Sequence, residues 1–156
     1  MRNFAIPTVG SLMYAMVTIR SNIPHTVGVV RRFMHNLDRP HWNVVTHIFR
    51  YLVGTHDYDI HFGPNKTSGL VGYTDSDYTG NTENRKSTSC SVFTYGGGAI
   101  SWRSKLQECT TLYTTKTEYL ATSNSTNEVV WLHQLSANFS AKRRLYRPTP
   151  TIYCDS

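Results

Sequence analysis

Three acidic residues of this 156-residue chain sit where an acid is least expected. Asp75 lies in a strand-like run with Leu70, Val71 and Tyr73; Asp155 closes the apolar run Ile152-Tyr153-Cys154; Glu118 stands near the start of a long helical stretch, beside Tyr119 and Leu120. A carboxylate in semi-buried surroundings is costly unless it is paired or bound to a metal. If the two strands are neighbours and the helix crosses their sheet, the three acids converge at one end of it. Two or three carboxylates there could bind Mg²⁺, and two such ions, each stabilising one oxygen of an in-line displacement, cleave phosphodiesters. The plainer reading is three unrelated surface acids, two of them at strand ends, and spacing alone favours it.

Other side chains with chemical potential form no pattern. Six of the seven histidines fall in residues 1–61 (His25, His35, His41, His47, His56 and His61), none at a metal-ligand spacing on one helix. The three cysteines, Cys90, Cys109 and Cys154, make neither a disulfide framework nor a zinc motif, which predicts a reducing, intracellular compartment. Gly96-Gly97-Gly98 is not followed by the Gly-Lys-Ser/Thr of a phosphate loop, and a strand follows it, so a tight turn is expected. Sixteen Lys and Arg against ten Asp and Glu give a formal net charge of +6, a balance that favours an anionic partner, nucleic acid before a membrane surface. No apolar stretch approaches a membrane span, and Met1–Pro7 lacks the apolar core of a signal peptide. The glycosylation sequons at Asn65, Asn124 and Asn138 are then chance matches.

Two textures divide the chain. Residues 9–54 read as three helices, with apolar stripes Leu12-Met13-Met16-Ile19, Val27-Val30-Phe33-Met34 and Trp42-Val45-Ile48-Phe49-Leu52; Pro24 and Pro40 stand near helix starts and Gly54 ends the third. Tyr58–Phe62 alternates like a strand, and Gly63–Gly69 is a loop rich in turn formers. These boundaries predict a helical part over 1–62, a linker over 63–69 and a second domain over 70–156. In that domain, strands are expected at Leu70–Ser76, Ser87–Tyr95 and Ala99–Arg103, a helix over Thr114–Leu135 with a weak middle at Thr122–Asn127, and a last strand at Thr151–Asp155 after a basic loop at Lys142-Arg143-Arg144. The order is βββαβ, an α/β (α+β) arrangement.

Several segments together carry a resemblance. Gly72–Gly80, Arg85–Ser89, Gly96–Gln107, Thr117–Ala121 and Tyr153–Ser156 resemble the ribonuclease H domain of copia-type LTR-retrotransposon Pol polyproteins, plant elements of the Tnt type above all. Val9–Met16, His41-Trp42 and Arg50–Thr55 are similar to the end of the reverse transcriptase region, so nearly the whole chain is covered in the family's order. The resemblance implies a ribonuclease H-like mixed sheet that cuts the RNA strand of an RNA–DNA hybrid with two Mg²⁺ ions, Mn²⁺ being a possible substitute. Matched by motif, Asp75, Glu118 and Asp155 would hold the metals, one ion activating water and the other stabilising the leaving oxygen. Asp77 would be a supporting or surface acid. Arg85, Lys86, Trp102, Arg103 and Lys105 lie where contact with the hybrid is expected, the basic side chains tracking phosphates and Trp102 packing on a sugar or base, or in the core.

The chain also departs from the family pattern. Thr115-Lys116-Thr117-Glu118-Tyr119 stands for the usual Thr-Glu-Ala-Glu-Tyr, Cys90-Ser91 for Gly-Tyr, and Ser21-Asn22 for Pro-Asp. The family's further helix, strand and fourth acidic residue do not follow Ser156, which predicts an incomplete domain, a fragment of an element. Expected partners are an RNA–DNA hybrid or other nucleic acid and the remaining parts of the polyprotein, with no membrane; the expected location is cytoplasmic, in a virus-like particle, or nuclear. The alternative is an inactive transposon remnant that binds nucleic acid non-specifically or does not fold stably.

Overall fold

The computed structural model describes residues 2–63, 69–78, 85–110, 113–140 and 149–154. Among them the element order is α1 (Arg2–Thr18), α2 (Pro24–Arg32), α3 (Arg39–Gly54), β1 (Val71–Asp77), β2 (Thr88–Tyr95), β3 (Gly98–Leu106), α4 (Thr114–Ser140) and β4 (Thr151–Cys154). The chain is α+β with a mixed four-stranded sheet, and it divides into two compact units, Met1–Asp59 and Ile60–Ser156. No helix among the described residues is long and apolar enough to cross a membrane.

In the first unit, Pro24 and Pro40 occupy the first or second helical position, where a missing N–H leaves no bond unmade. The core comprises Val9 and Leu12 of α1, Ile23, Val27 and Val30 at α2, and Val45 and Ile48 of α3. Arg20 donates to the carbonyl of Thr55 at 2.6 Å, tying the end of α1 to the end of α3. Two expectations are corrected. Helix α1 starts at Arg2 rather than near Val9 and carries Pro7 inside, which forfeits one main-chain hydrogen bond. Ile19, Trp42 and Phe49, placed on apolar stripes by their spacing, are exposed, since α2 packs against both α1 and α3 and each outer helix buries one stripe.

Tyr58–Phe62 forms no strand, contrary to its alternation. The division between units falls inside it, ahead of the expected 63–69 linker. The alternation serves packing instead: Ile60 and Phe62 lie over Gly98, where an added Cβ would stand 2.8 Å from Ile60 Cγ2 and 2.5 Å from Phe62 Cε1. Gly63 N–H donates to Gly96 O at 2.9 Å, so residues 60–63 belong with the second unit.

The sheet of that unit runs β3-β2-β1-β4. Strands β2 and β3 form an antiparallel hairpin closed at Gly96-Gly97, whose φ values of +60° and +83° are those of a two-residue turn that suits the twist of the strands. Strand β1 pairs antiparallel with β2 and parallel with β4 (Val71 opposite Thr151, Thr74 opposite Cys154), as a helical crossover through α4 allows. One sheet face packs on α4 around Leu70, Phe93, Val129 and Leu132, with Ile152 against them. On the other face Tyr73 and Tyr153 stack with centroids 5.5 Å apart, each more than half exposed.

Candidate active site

Helix α4 buries a stripe of Thr117, Ala121, Ser125, Val129 and Leu132, spaced by four and three residues. Its N-terminal half presents small and hydroxyl-bearing residues to the sheet. Ser125 Oγ donates to Thr74 Oγ1 of β1 at 2.9 Å, and Thr74 Oγ1 lies 3.4 Å from the Cys90 carbonyl of β2. Gln107, buried after β3, donates through Nε2 to Ser89 Oγ at 2.8 Å and to the Thr117 carbonyl at 3.1 Å. Its main-chain N–H donates to Ser87 O at 2.8 Å. Hydrogen bonds thus fix the start of α4 against β1 and β2, where apolar bulk is lacking.

This docking brings two of the three expected carboxylates to one place. Asp75 of β1 and Glu118, in the second turn of α4, line the same narrow cleft, together with Thr74, Ser76, Ala121, Thr122 and Cys154. Asp75 is exposed and its Oδ1 accepts the Ser76 N–H at 2.6 Å; Glu118 is half-buried, one position round from the stripe. Cys154, the last residue of β4, stands opposite Thr74 and lies 3.5 Å from Thr122 Oγ1. Asp155 lies outside the described residues. Among the described residues no group of three or more His, Cys, Asp or Glu side chains is gathered for a metal. Asp77 ends β1 opposite Thr88 and is exposed. Thr122 and Cys154 were not singled out from the sequence, where the hydroxyl-rich stretch reads only as weak helix.

The expected nucleic-acid residues separate by strand alternation. Arg103 and Lys105 stand opposite Ser91 and Ser89 on the α4 side of the sheet and line a second cleft with them. Trp102, opposite Val92, belongs to the other face and is half-buried. Arg85 is exposed, with an unusual φ of +53°, and Lys86 is half-buried before β2. Lys105 Nζ is paired with Glu108 Oε1 at 2.8 Å. The basic loop expected at Lys142–Arg144 lies outside the described residues. Cys90 is half-buried, Cys109 and Cys154 are exposed, and all three are free thiols.

Comparison with known proteins decides the lineage. Over 148 residues, 95% of its length, the chain is 46% identical to the retrovirus-related Pol polyprotein from transposon TNT 1-94 of Nicotiana tabacum. The chain belongs to the retrovirus-related Pol polyproteins of plant transposons. Another member, the Pol polyprotein from transposon RE2 of Arabidopsis thaliana, is 34% identical over the same share of the chain. The match covers 11% and 10% of these two Pol polyproteins, so the chain spans about a tenth of their length. It is also 41% identical over 127 residues to secreted RxLR effector protein 161 of Plasmopara viticola, covering 89% of that protein. No protein-family profile and no solved structure matches the chain.

Proposed function

We propose that this segment of a transposon Pol polyprotein is a ribonuclease H-like unit that hydrolyses the RNA strand of RNA–DNA hybrids during reverse transcription, and that the first unit is the end of a reverse transcriptase region. The observation that carries the reading is the cleft shared by Asp75 of β1 and Glu118 of α4 beside the last residue of β4. Apart from the Cys154 thiol, its polar side chains are carboxylates and hydroxyls, hard oxygen donors suited to Mg²⁺ or Mn²⁺. Asp75 and Glu118, with Asp155, would hold the ions, which when bound generate a nucleophile from water and stabilise the leaving oxygen. The chain's own part is positioning. Thr74 and Ser125 lock β1 to α4, so that the two carboxylates share one opening. Arg103 and Lys105 supply positive charge for the strand's phosphates. Other parts of the polyprotein would complete the substrate surface.

The test is cleavage of an end-labelled RNA–DNA hybrid in Mg²⁺ and in Mn²⁺. Metal-dependent cutting of the RNA strand that disappears in Asp75→Asn is the expected result. A folded, soluble sample that binds the hybrid without cutting would leave the second reading, a remnant with binding alone. That reading draws support from Lys116, a cation two residues from Glu118.

A further inference from the structure

The second cleft lies between β2, β3 and the N-terminal half of α4 and has a volume of about 260 Å³. That is below the roughly 300–1,000 Å³ of pockets that enclose a whole small molecule, so a single group rather than a molecule fits it. Arg103 and Lys105 reach it from alternate positions of β3, Ser89 and Ser91 stand opposite them, and Asn124 lines it from α4. Glu108 lines it as well. Three cations, Lys105, Lys86 and Arg103, act on that one carboxylate and hold its pKa below the ordinary range, the hydrogen bond from Lys105 doing most. The side chains of the Lys105–Glu108 pair are 53% and 83% exposed, and pairs this exposed are weak and readily exchanged. Ala121, itself buried, is common to the linings of this cleft and of the one lined by Asp75 and Glu118.

We propose that the cleft of Arg103 and Lys105 is a subsite for one backbone phosphate of a nucleic-acid strand, and that Glu108 is its resident counter-ion, displaced when the strand binds. The proposal rests on the nucleic-acid reading above and adds to it a location and a competitor. A phosphodiester offers charged oxygens to the same cations and accepts from the serine hydroxyls and the Asn124 amide, which outcompetes one mobile carboxylate.

The test is fluorescence anisotropy of a labelled RNA–DNA hybrid with the full chain, without divalent cations, from 50 to 200 mM salt. Glu108→Gln is expected to tighten binding about 2- to 5-fold with little change in the log–log salt slope, because the same phosphate is neutralised once Glu108 is displaced. Arg103→Gln is expected to weaken binding and flatten the slope. Both positions are exposed, and matching thermal melts confirm that the variants fold. Hybrid binding that neither substitution changes would overturn the subsite and leave the nucleic-acid reading standing. No hybrid binding by the wild-type chain or by Glu108→Gln would overturn both. Titration with inorganic phosphate separates the source: if Glu108→Gln gains affinity for free phosphate and none for the hybrid, the commitment to a strand fails.

Discussion

Gly72 shows how a single side chain, or its absence, sets the geometry around the carboxylates. A Cβ at this position would lie 2.7 Å and 2.9 Å from Phe93 Cε1 and Cδ1. The Phe93 ring is fully buried in a core with Leu70, Val129 and Leu132, so it has nowhere to swing. Gly72→Ala is therefore expected to destabilise the second unit by about 1–3 kcal/mol through overpacking. Each kcal/mol should lower the melting temperature by roughly 4–8 °C, read by circular dichroism. An unchanged midpoint would mean that the ring yields. Gly72 was quoted from the sequence only as part of a motif; its steric reason depends on Phe93, 21 positions away and opposite it in β2 (93 − 72). Glu108 gives a pH test at the same scale. Lys105 lowers its pKa, so the Glu108 carboxyl takes up its proton at a lower pH than an ordinary carboxylate would. The neighbouring titratable groups are Lys86, Lys105, Arg103, Cys90 and Cys109, while α4 presents none to the cleft. Hybrid affinity should rise as pH falls through the lowered Glu108 value in the wild-type chain, and this rise should be missing in Glu108→Gln.

At the scale of elements, α4 is the informative case. Its middle, Thr122–Asn127, is poor in helix formers, yet the helix runs unbroken from Thr114 to Ser140, five residues past the expected Leu135. The hydroxyls bond back to carbonyls one turn earlier, Thr122 to Glu118 at 2.9 Å, Ser125 to Ala121 at 2.9 Å and Thr126 to Thr122 at 2.8 Å, and Ser125 is shared with β1 as well. Tertiary bonding overrides a weak propensity here. Two neighbouring substitutions should then differ in sign. Ser125→Ala removes a buried bond to Thr74 and is expected to cost about 1 kcal/mol. Thr126→Ala, on the exposed side, replaces a poor helix former with the best one and should stabilise by a few tenths of a kcal/mol. Denaturant titration of both variants checks this, and equal losses would contradict the division of the helix into a docked and a solvated side. The helix runs past its expected end, but its presence and its start at Thr114 were legible from period and composition. Its orientation was not, because the stripe that faces the sheet is marked by Thr117, Ala121 and Ser125 rather than by apolar bulk. Strand existence was legible for β1 to β3, where β-branched and aromatic residues and the glycine turn agree. It failed at Tyr58–Phe62, whose alternation packs on Gly98 without a partner strand.

For the molecule as a whole, the net charge of +6 makes any binding to nucleic acid sensitive to salt. If two to three phosphates are neutralised, affinity for a hybrid should fall roughly 10- to 40-fold between 50 and 200 mM salt. A flat profile in the anisotropy titration would rule out charge as the source of binding. The parallel pairing of β1 with β4 carries a further consequence, one of timing. Antiparallel β2 follows β1 closely in the chain, whereas Val71 and Thr151 are 80 positions apart (151 − 71). Closing so long a loop is slow compared with forming a hairpin. The Thr151 amide, which donates to Leu70 O at 3.2 Å, should accordingly be among the last protected in pulse-labelled hydrogen exchange during refolding. On a ribosome the same order means that a nascent chain can hold the hairpin and α4 while one side of β1 stays bare. The cleft at Asp75 then lacks its Cys154 wall until the end of β4 has emerged.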